Sequence, residues 1–135
     1  MTARVTRSEV ETFEAGRATG ASLSAGDVLL ISGPLGVGKT AFVRGLAAGL
    51  GFDPEGVSSP TFTIIQEYPG RLTLYHVDLY RLTPAEAADL GLDELGATGI
   101  LAVEWPDRWT AAPPGARHID ITDTGGSTRR IVTSA

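Results

Sequence analysis

The sequence contains no cysteine and a single lysine, and both shortages exclude whole classes of protein. Without cysteine, the 135-residue chain has no disulfide framework, no thiolate zinc or iron–sulfur site and no cysteine nucleophile. Ten of its 11 basic side chains are arginine, and the one lysine is Lys39. Guanine-specific GTPases read the base with an N/T-K-x-D motif. That motif needs a second lysine, so a Ras-like GTPase is excluded.

Long apolar segments and an excess of positive charge are also missing. No apolar run approaches the roughly 20 residues that a membrane span needs, and residues 1–10 lack the features of a signal peptide. The net charge is −5 and the sequence pI is about 4.9, whereas nucleic-acid binders present a basic stripe. We therefore expect a cytoplasmic protein without a membrane role, whose acidity serves solubility, and any nucleic-acid role would run through a partner.

The hydrophobic pattern predicts one mixed α/β domain over residues 1–135. Two wholly apolar runs, at 28–31 and 100–103, are typical of strands buried on both faces of a sheet. Ser8 with Glu11 and Thr83 with Glu86 match the capping box that begins a helix. We predict helices over 8–23, from Lys39 to about 50, and from 83 to about 91, with antiparallel hairpins over 61–78 and 119–133.

A glycine-rich segment carries the strongest chemical signal. Residues 33–40, Gly-Pro-Leu-Gly-Val-Gly-Lys-Thr, match the phosphate-binding motif G-x-x-x-x-G-K-S/T without substitution. Glycines allow backbone amides to surround phosphate oxygens, and the N-terminus of the following helix favours the same anion. The motif assigns Lys39 to the β- and γ-phosphates and the Thr40 hydroxyl to Mg²⁺. A buried strand before the loop and an amphipathic helix after it supply the context that the motif requires.

Two acidic residues stand where a metal-binding carboxylate is expected. Glu104 directly follows the apolar run at 100–103, and Asp78 ends the run Leu-Tyr-His-Val. Mg²⁺ takes oxygen ligands, and in α/β sheets the ligand sites lie at the carboxyl ends of the strands. Glu104 is the better metal candidate, and Asp78 is better suited to orienting a water or a switch segment. From spacing alone, His76 and Trp105 are more typical of packed core side chains, and 58–61 of a proline-containing turn.

Four motifs in order resemble those of the TsaE (YjeE) family. They are the loop at 33–40, Ser-Pro-Thr-Phe-Thr at 59–63, His-Val-Asp-Leu-Tyr-Arg-Leu at 76–82, and Val-Glu-Trp-Pro at 103–106. The family consists of small bacterial ATPases required for threonylcarbamoyladenosine modification of tRNA. The resemblance implies an α/β fold: a P-loop NTPase-like mixed, partly parallel sheet flanked by helices, here with a C-terminal β-hairpin.

The resemblance also implies an activity and partners. The family binds ATP or ADP with Mg²⁺ and hydrolyses ATP weakly by itself. It works with TsaB and TsaD, of which TsaD transfers the threonylcarbamoyl group to adenosine 37, so tRNA is reached only through the complex. By the same resemblance, Thr40 and Glu104 ligate Mg²⁺, and Asp78 and Trp105, with Lys39 and Glu104, are needed for activity. The nucleotide is expected to contact Leu35, Gly36, Val37, Gly38, Lys39, Thr40 and Ala41, together with Ser59 and Thr61 of a switch segment.

Two other functions share the same phosphate loop. A small-molecule kinase would need an acceptor site and a lid, for which 135 residues leave little room. A nucleotide-sensing adaptor would bind ATP and ADP as a conformational switch without significant turnover. The adenine site is the least defined part: the resemblance places the base near residues 6–10 and Arg129, and neither region carries a diagnostic motif.

Overall fold

A computed structural model describes residues 1–34, 38–57 and 64–134 of the chain. These residues form a seven-stranded mixed sheet with helices on both faces. The strands are β1 (Thr2–Thr6), β2 (Val28–Ser32), β3 (Ile65–Tyr68), β4 (Leu74–Asp78), β5 (Ile100–Glu104), β6 (Arg117–Gly125) and β7 (Thr128–Ser134). The helices are α1 (Glu9–Ala21), α2 (Lys39–Gly49), α3 (Pro84–Ala88) and α4 (Leu92–Gly96), with 3₁₀ turns at Pro54–Gly56 and Pro106–Arg108. No helix in these described ranges is long and apolar enough to cross a membrane.

The strand order is β1-β7-β6-β2-β5-β4-β3. The four central strands β6, β2, β5 and β4 run parallel, and antiparallel partners extend the sheet at both edges. The carboxyl ends of β2, β4 and β5 therefore meet at one edge of the sheet. This confirms the predicted fold class, a mixed and partly parallel sheet flanked by helices with a C-terminal hairpin.

The core lies on both faces of the central strands. Alternate residues of β5 enter opposite clusters: Ile100 and Ala102 face α1 and α2, whereas Leu101 and Val103 face α3 and α4. Every residue of β5 is buried, as are the first four of β2. An uninterrupted apolar run is what such a doubly covered strand requires.

Glycines bring α1 and α2 into backbone contact. A Cβ added at Gly16 would lie 2.1 Å from the carbonyl oxygen of Phe42, and one at Gly45 would lie 2.1 Å from that of Phe13. Gly20 and Gly49 occupy equally tight positions one turn further along each helix. The close crossing fixes α2 on α1 and therefore fixes where the first turn of α2 lies.

Helix α1 confirms the prediction at 8–23, but its predicted capping box is wrong. The Ser8 hydroxyl accepts a hydrogen bond from the Glu11 amide, as expected. The Glu11 carboxylate, however, accepts from the amide of Arg7 at 3.0 Å rather than from that of Ser8. The side chain thus satisfies the backbone one residue earlier than the motif predicts.

The second capping box is present, but its helix is shorter than predicted. Thr83 and Glu86 each accept a hydrogen bond from the other's backbone amide. Helix α3 ends at Ala88, and Gly91, at a φ of 69°, separates it from α4, which the sequence analysis did not predict. A left-handed residue cannot continue an α-helix, and glycine adopts that conformation without a Cβ penalty.

Both predicted hairpins are present within the described residues. β3 pairs with β4 and β6 with β7, although residues 61–63 of the first predicted hairpin lie outside the described ranges. Strand β1, which pairs with β7, was missed. Four of its five residues are exposed, so it carries no apolar signal of the kind that marks a buried strand.

Candidate functional site

The candidate site lies at the carboxyl edge of the parallel strands, where α2 begins. β2 ends at Ser32, Gly33 and Pro34 follow, and Gly38, at a φ of 105°, precedes Lys39 as the N-cap of α2. Strand register brings the ends of three strands together, because Glu104 is paired with Ile31 of β2 and with Asp78 of β4. Of the predicted nucleotide contacts, Leu35, Gly36, Val37, Ser59 and Thr61 lie outside the described residues.

Lys39 is buried at the centre of this edge, with 5% of its surface exposed. Its Nζ donates a hydrogen bond to the carbonyl oxygen of Gly33 at 2.7 Å and lies 3.8 Å from Oε1 of Glu104. The same atom is 4.4 Å from the centre of the Trp105 ring, within the range of a cation–π contact. Three groups from two segments, the turn after β2 and the end of β5, therefore hold the ammonium in place.

The surroundings of Lys39 shift its protonation equilibrium. Burial lowers the pKa of Lys39 below its ordinary value, and the negative charges of Glu104 and Asp78 only partly oppose this effect. The ammonium is thus less well stabilised in the folded protein than in water. A phosphate group placed beside it would add negative charge and so favour the ammonium.

The first turn of α2 provides further groups for an anion. By helix geometry, the amides of Lys39, Thr40 and Ala41 have no intrahelical carbonyl, because the first such bond runs from Phe42 to Gly38 at 3.0 Å. Thr40 is exposed, so its hydroxyl can reach solvent or a ligand, whereas the side chain of Ala41 is buried. Ala41 can therefore meet a ligand only through its backbone.

Glu104 is held by a neighbour that sequence reasoning placed only in the core. Its Oε2 lies 2.5 Å from Nε2 of His76, which is fully buried in β4. His76 and Asp78 project from the same side of β4, and Glu104 projects from that side of the adjacent strand. The contact between His76 and Glu104 depends on the parallel register of β4 and β5. No local sequence pattern predicts that register.

Asp78 and Trp105 complete the edge. The Asp78 carboxylate accepts a hydrogen bond from the amide of Tyr80 at 2.9 Å, which fixes the turn that leaves β4. Trp105 adopts a φ of 58°, and its ring packs against Tyr80 with centroids 4.9 Å apart. A left-handed conformation is uncommon for a bulky residue and is often found at functional sites. The ring borders a cavity of about 200 Å³ lined by Ser32, Gly33, Pro34, Trp105, Pro106 and Asp107.

The donor set fits a magnesium ion that is shared with a phosphate ligand. In the described residues, no three His, Asp or Glu side chains converge as a metal site. Mg²⁺ seldom needs such a cage, since it binds through one or two protein oxygens and completes its shell with phosphates and waters. The Thr40 hydroxyl and the Glu104 carboxylate are oxygen donors of this kind, at the start of α2 and the end of β5.

The two regions in which the adenine base is expected, residues 6–10 and Arg129, are neighbours in the fold. Thr6 of β1 is paired with Arg129 of β7, and the Thr6 hydroxyl is hydrogen-bonded to that of Thr12 at 2.7 Å. A Cβ added at Gly38 would lie 3.6 Å from the Thr12 methyl group. The start of α1 therefore borders the phosphate loop.

Comparison with known proteins identifies similar chains over almost the whole length. The model of the family described as "Threonylcarbamoyl adenosine biosynthesis protein TsaE" matches residues 6–131. The chain is 45% identical to the Treponema pallidum tRNA threonylcarbamoyladenosine biosynthesis protein TsaE, covering 82% of each chain. It is 43% identical to the Bacillus subtilis protein of the same name, covering 91% of this chain and 78% of the relative.

The chain is also similar to a solved structure. The crystal structure of Bacillus subtilis YdiB superposes with a TM-score of 0.81 at 37% sequence identity. The match covers 99% of this chain and 84% of that one. The similarity thus extends over nearly the whole of this chain.

Proposed function

Because this chain belongs to the TsaE family of threonylcarbamoyladenosine biosynthesis proteins, we propose that it is the Mg²⁺-dependent ATPase of that tRNA modification. One observation carries the proposal. A buried lysine at the N-terminus of α2 lies 3.8 Å from a carboxylate at the end of the adjacent strand β5, in the surroundings that an ATP phosphate requires. Burial lowers the pKa of Lys39, and a phosphate bound beside the ammonium would favour its charged form.

ATP would occupy the edge with its phosphates on α2. The free amides of the first turn and the Lys39 ammonium would contact the β- and γ-phosphates. Lys39 would exchange its bond with the Gly33 carbonyl for a charged oxygen, which is a stronger hydrogen bond. Thr40 and Glu104 would hold Mg²⁺, which when bound neutralises phosphate charge. Asp78, fixed by the Tyr80 amide, would orient the water for hydrolysis.

The partners proposed are TsaB and TsaD, with tRNA reached only through their complex. The relatives' names place them in tRNA threonylcarbamoyladenosine biosynthesis, and the net charge of −5 argues against direct binding of RNA. A cytoplasmic location is part of the same proposal. In this role the chain hydrolyses ATP slowly alone and faster when the pair is present.

The test is ATP hydrolysis with and without TsaB and TsaD. We expect Lys39→Ala and Glu104→Ala to reduce stimulated turnover by about 100-fold or more, since each removes a charged group from the phosphate site. Glu94→Ala, an exposed carboxylate on α4, is the matched control and should retain wild-type turnover. Stimulated turnover that survives both site substitutions would refute the assignment.

The same assay separates the two alternatives. Transfer of the γ-phosphate to a nucleoside or sugar instead of water would identify a small-molecule kinase. Turnover at the blank level with TsaB and TsaD present, combined with nucleotide-dependent binding to them, would identify a switch adaptor.

A further inference from the structure

His76 is a buried polar side chain with only half of its hydrogen-bonding capacity used. It has no exposed surface, and its Nε2 lies 2.5 Å from Oε2 of Glu104. Its Nδ1 is the one buried side-chain nitrogen or oxygen without a hydrogen-bond partner among the residues the structure describes. Burying a polar nitrogen without a hydrogen-bond partner costs free energy, and an apolar residue at this position of β4 would avoid that cost. Packing alone therefore does not explain the histidine.

The unpaired Nδ1 indicates which nitrogen of the ring carries the hydrogen. A hydrogen at Nδ1 would be a buried donor with no acceptor, whereas a hydrogen at Nε2 is donated directly to Glu104. His76 therefore donates from Nε2 to the carboxylate, and its ring makes no other polar contact among the residues that the structure describes.

The two oxygens of Glu104 consequently differ. Oε2 accepts from His76 inside the sheet, and Oε1 faces Lys39 at 3.8 Å, toward the phosphate loop. The register partner of His76 is Ala102, which has the smallest side chain in β5. The imidazole can thus extend toward Glu104, two residues further along the neighbouring strand.

We propose that His76 is a positioning residue that fixes the carboxylate of Glu104 through Oε2 and presents only Oε1 to the nucleotide-bound metal. The proposal rests on the Mg²⁺–ATP function proposed above. A carboxylate with two free oxygens can rotate about its last torsion, whereas one anchored oxygen leaves the other in a set direction. Partners that orient a ligand in this way typically contribute 10- to 100-fold to metal affinity, so about that much depends on His76.

The test measures ADP affinity by calorimetry on the full chain, with Mg²⁺ and with EDTA, and compares the two dissociation constants. In the wild type, Mg²⁺ should enhance the affinity for ADP, and we expect His76→Leu to reduce that enhancement about tenfold or more. Its affinity in EDTA should stay at the wild-type value, whereas its melting temperature should fall, because Oε2 of the buried Glu104 loses its hydrogen-bond donor. His76→Gln can place an amide N–H near the position of Nε2 and should restore most of the enhancement.

His118→Leu, at the exposed second histidine, is the control and should behave as wild type. An unchanged Mg²⁺ enhancement in His76→Leu overturns the proposal, and so does a His76→Gln variant impaired as much as His76→Leu. An equal loss of affinity with Mg²⁺ and with EDTA also overturns it, since that pattern indicates a deformed site. A wild-type chain that binds no ADP in either condition refutes the proposed function, and the role of His76 falls with it.

Discussion

At the scale of single residues, the chemistry concentrates on the one lysine. Lys39 is buried against the Gly33 carbonyl, Glu104 and the ring of Trp105. Arginine supplies every other basic side chain, yet its planar head would not fit a position shaped for a compact ammonium. The residue that is scarce in the composition is therefore the one on which the proposed site depends.

The pKa of Lys39 can be measured directly because no other lysine is present. Chains labelled at the lysine ε-carbon should give one NMR titration with a pKa below the ordinary value, as burial dictates. Between that pKa and the unfolded one, the unfolded chain binds more protons, so the contribution of Lys39 to folding stability rises with pH. Saturating ADP should raise the pKa. A titration at or above the ordinary value in the free protein would contradict the burial argument.

Lys39→Arg tests shape at constant charge. We expect ATP turnover with partners to fall by about 100-fold, since the guanidinium cannot make the contacts of the ammonium in the same space. Arg130→Lys, the reverse exchange at an exposed position of β7, is the control and should leave turnover unchanged. Full activity in Lys39→Arg would show that only charge matters at this position.

At the scale of elements, the crossing of α1 and α2 sets where α2 begins. The backbones approach so closely that no Cβ fits at Gly16, Gly20, Gly45 or Gly49. Thr12 of α1 then lies beside Gly38 at the N-cap of α2. The N-terminal end of α2, where the phosphates are proposed to bind, is thus placed by glycines further along the two helices.

Gly45→Ala should destabilise the fold by about 1–3 kcal/mol, the usual effect of overpacking, because the added methyl would meet the Phe13 carbonyl at 2.1 Å. The measurement is urea unfolding followed by circular dichroism. Gly115→Ala is the matched control, since a Cβ there meets nothing within 4 Å. Equal stability of the two variants would show that the helices separate freely.

The capping box of α3 gives a pH-dependent contribution with a defined sign. Hydrogen bonds from Thr83 lower the pKa of Glu86. The stabilisation is therefore present above the unfolded pKa of a glutamate and is lost as the pH falls through the lower, folded pKa. Thr83→Ala removes the hydroxyl but keeps the amide that donates to Glu86, so NMR should show the Glu86 pKa rising only part of the way to its ordinary value. An unchanged Glu86 pKa in Thr83→Ala would show that the hydroxyl contributes nothing to the shift.

At the scale of the whole molecule, strand order decides which residues meet. Strand β2 is separated in the chain from β4 and β5 by β3, yet the carboxyl ends of β2, β4 and β5 form one edge. The same order pairs β1 with β7 and so brings Thr6 beside Arg129. The proposed phosphate and adenine regions are thereby adjacent.

The charge of the whole molecule yields a prediction about tRNA. A chain of net charge −5 should not bind tRNA by itself at physiological salt, because affinity for phosphate backbones comes from cations that displace counterions. Filter binding should show retention only when TsaB and TsaD are added. Micromolar binding by the isolated chain, with a steep salt dependence, would contradict indirect recruitment.

The sequence by itself determined the local features of this protein. The phosphate loop, the start of α2, the buried strands at 28–31 and 100–103 and the Thr83 cap all follow from neighbours in the chain, because turns, caps and buried strands are specified within a few residues. Ordered motifs also sufficed to indicate the family. Strand β1 escaped because an exposed edge strand carries no apolar pattern.

Only the tertiary structure decided how these features meet. It placed His76 against Glu104, the ring of Trp105 over Lys39, and α1 against α2 through their glycines. These contacts join residues from 26 to 66 positions apart, or backbones brought together by helix packing, and no local pattern encodes such a distance. The sequence predicted which groups could bind a nucleotide, and the pairing of parallel strands decided which groups hold them in place.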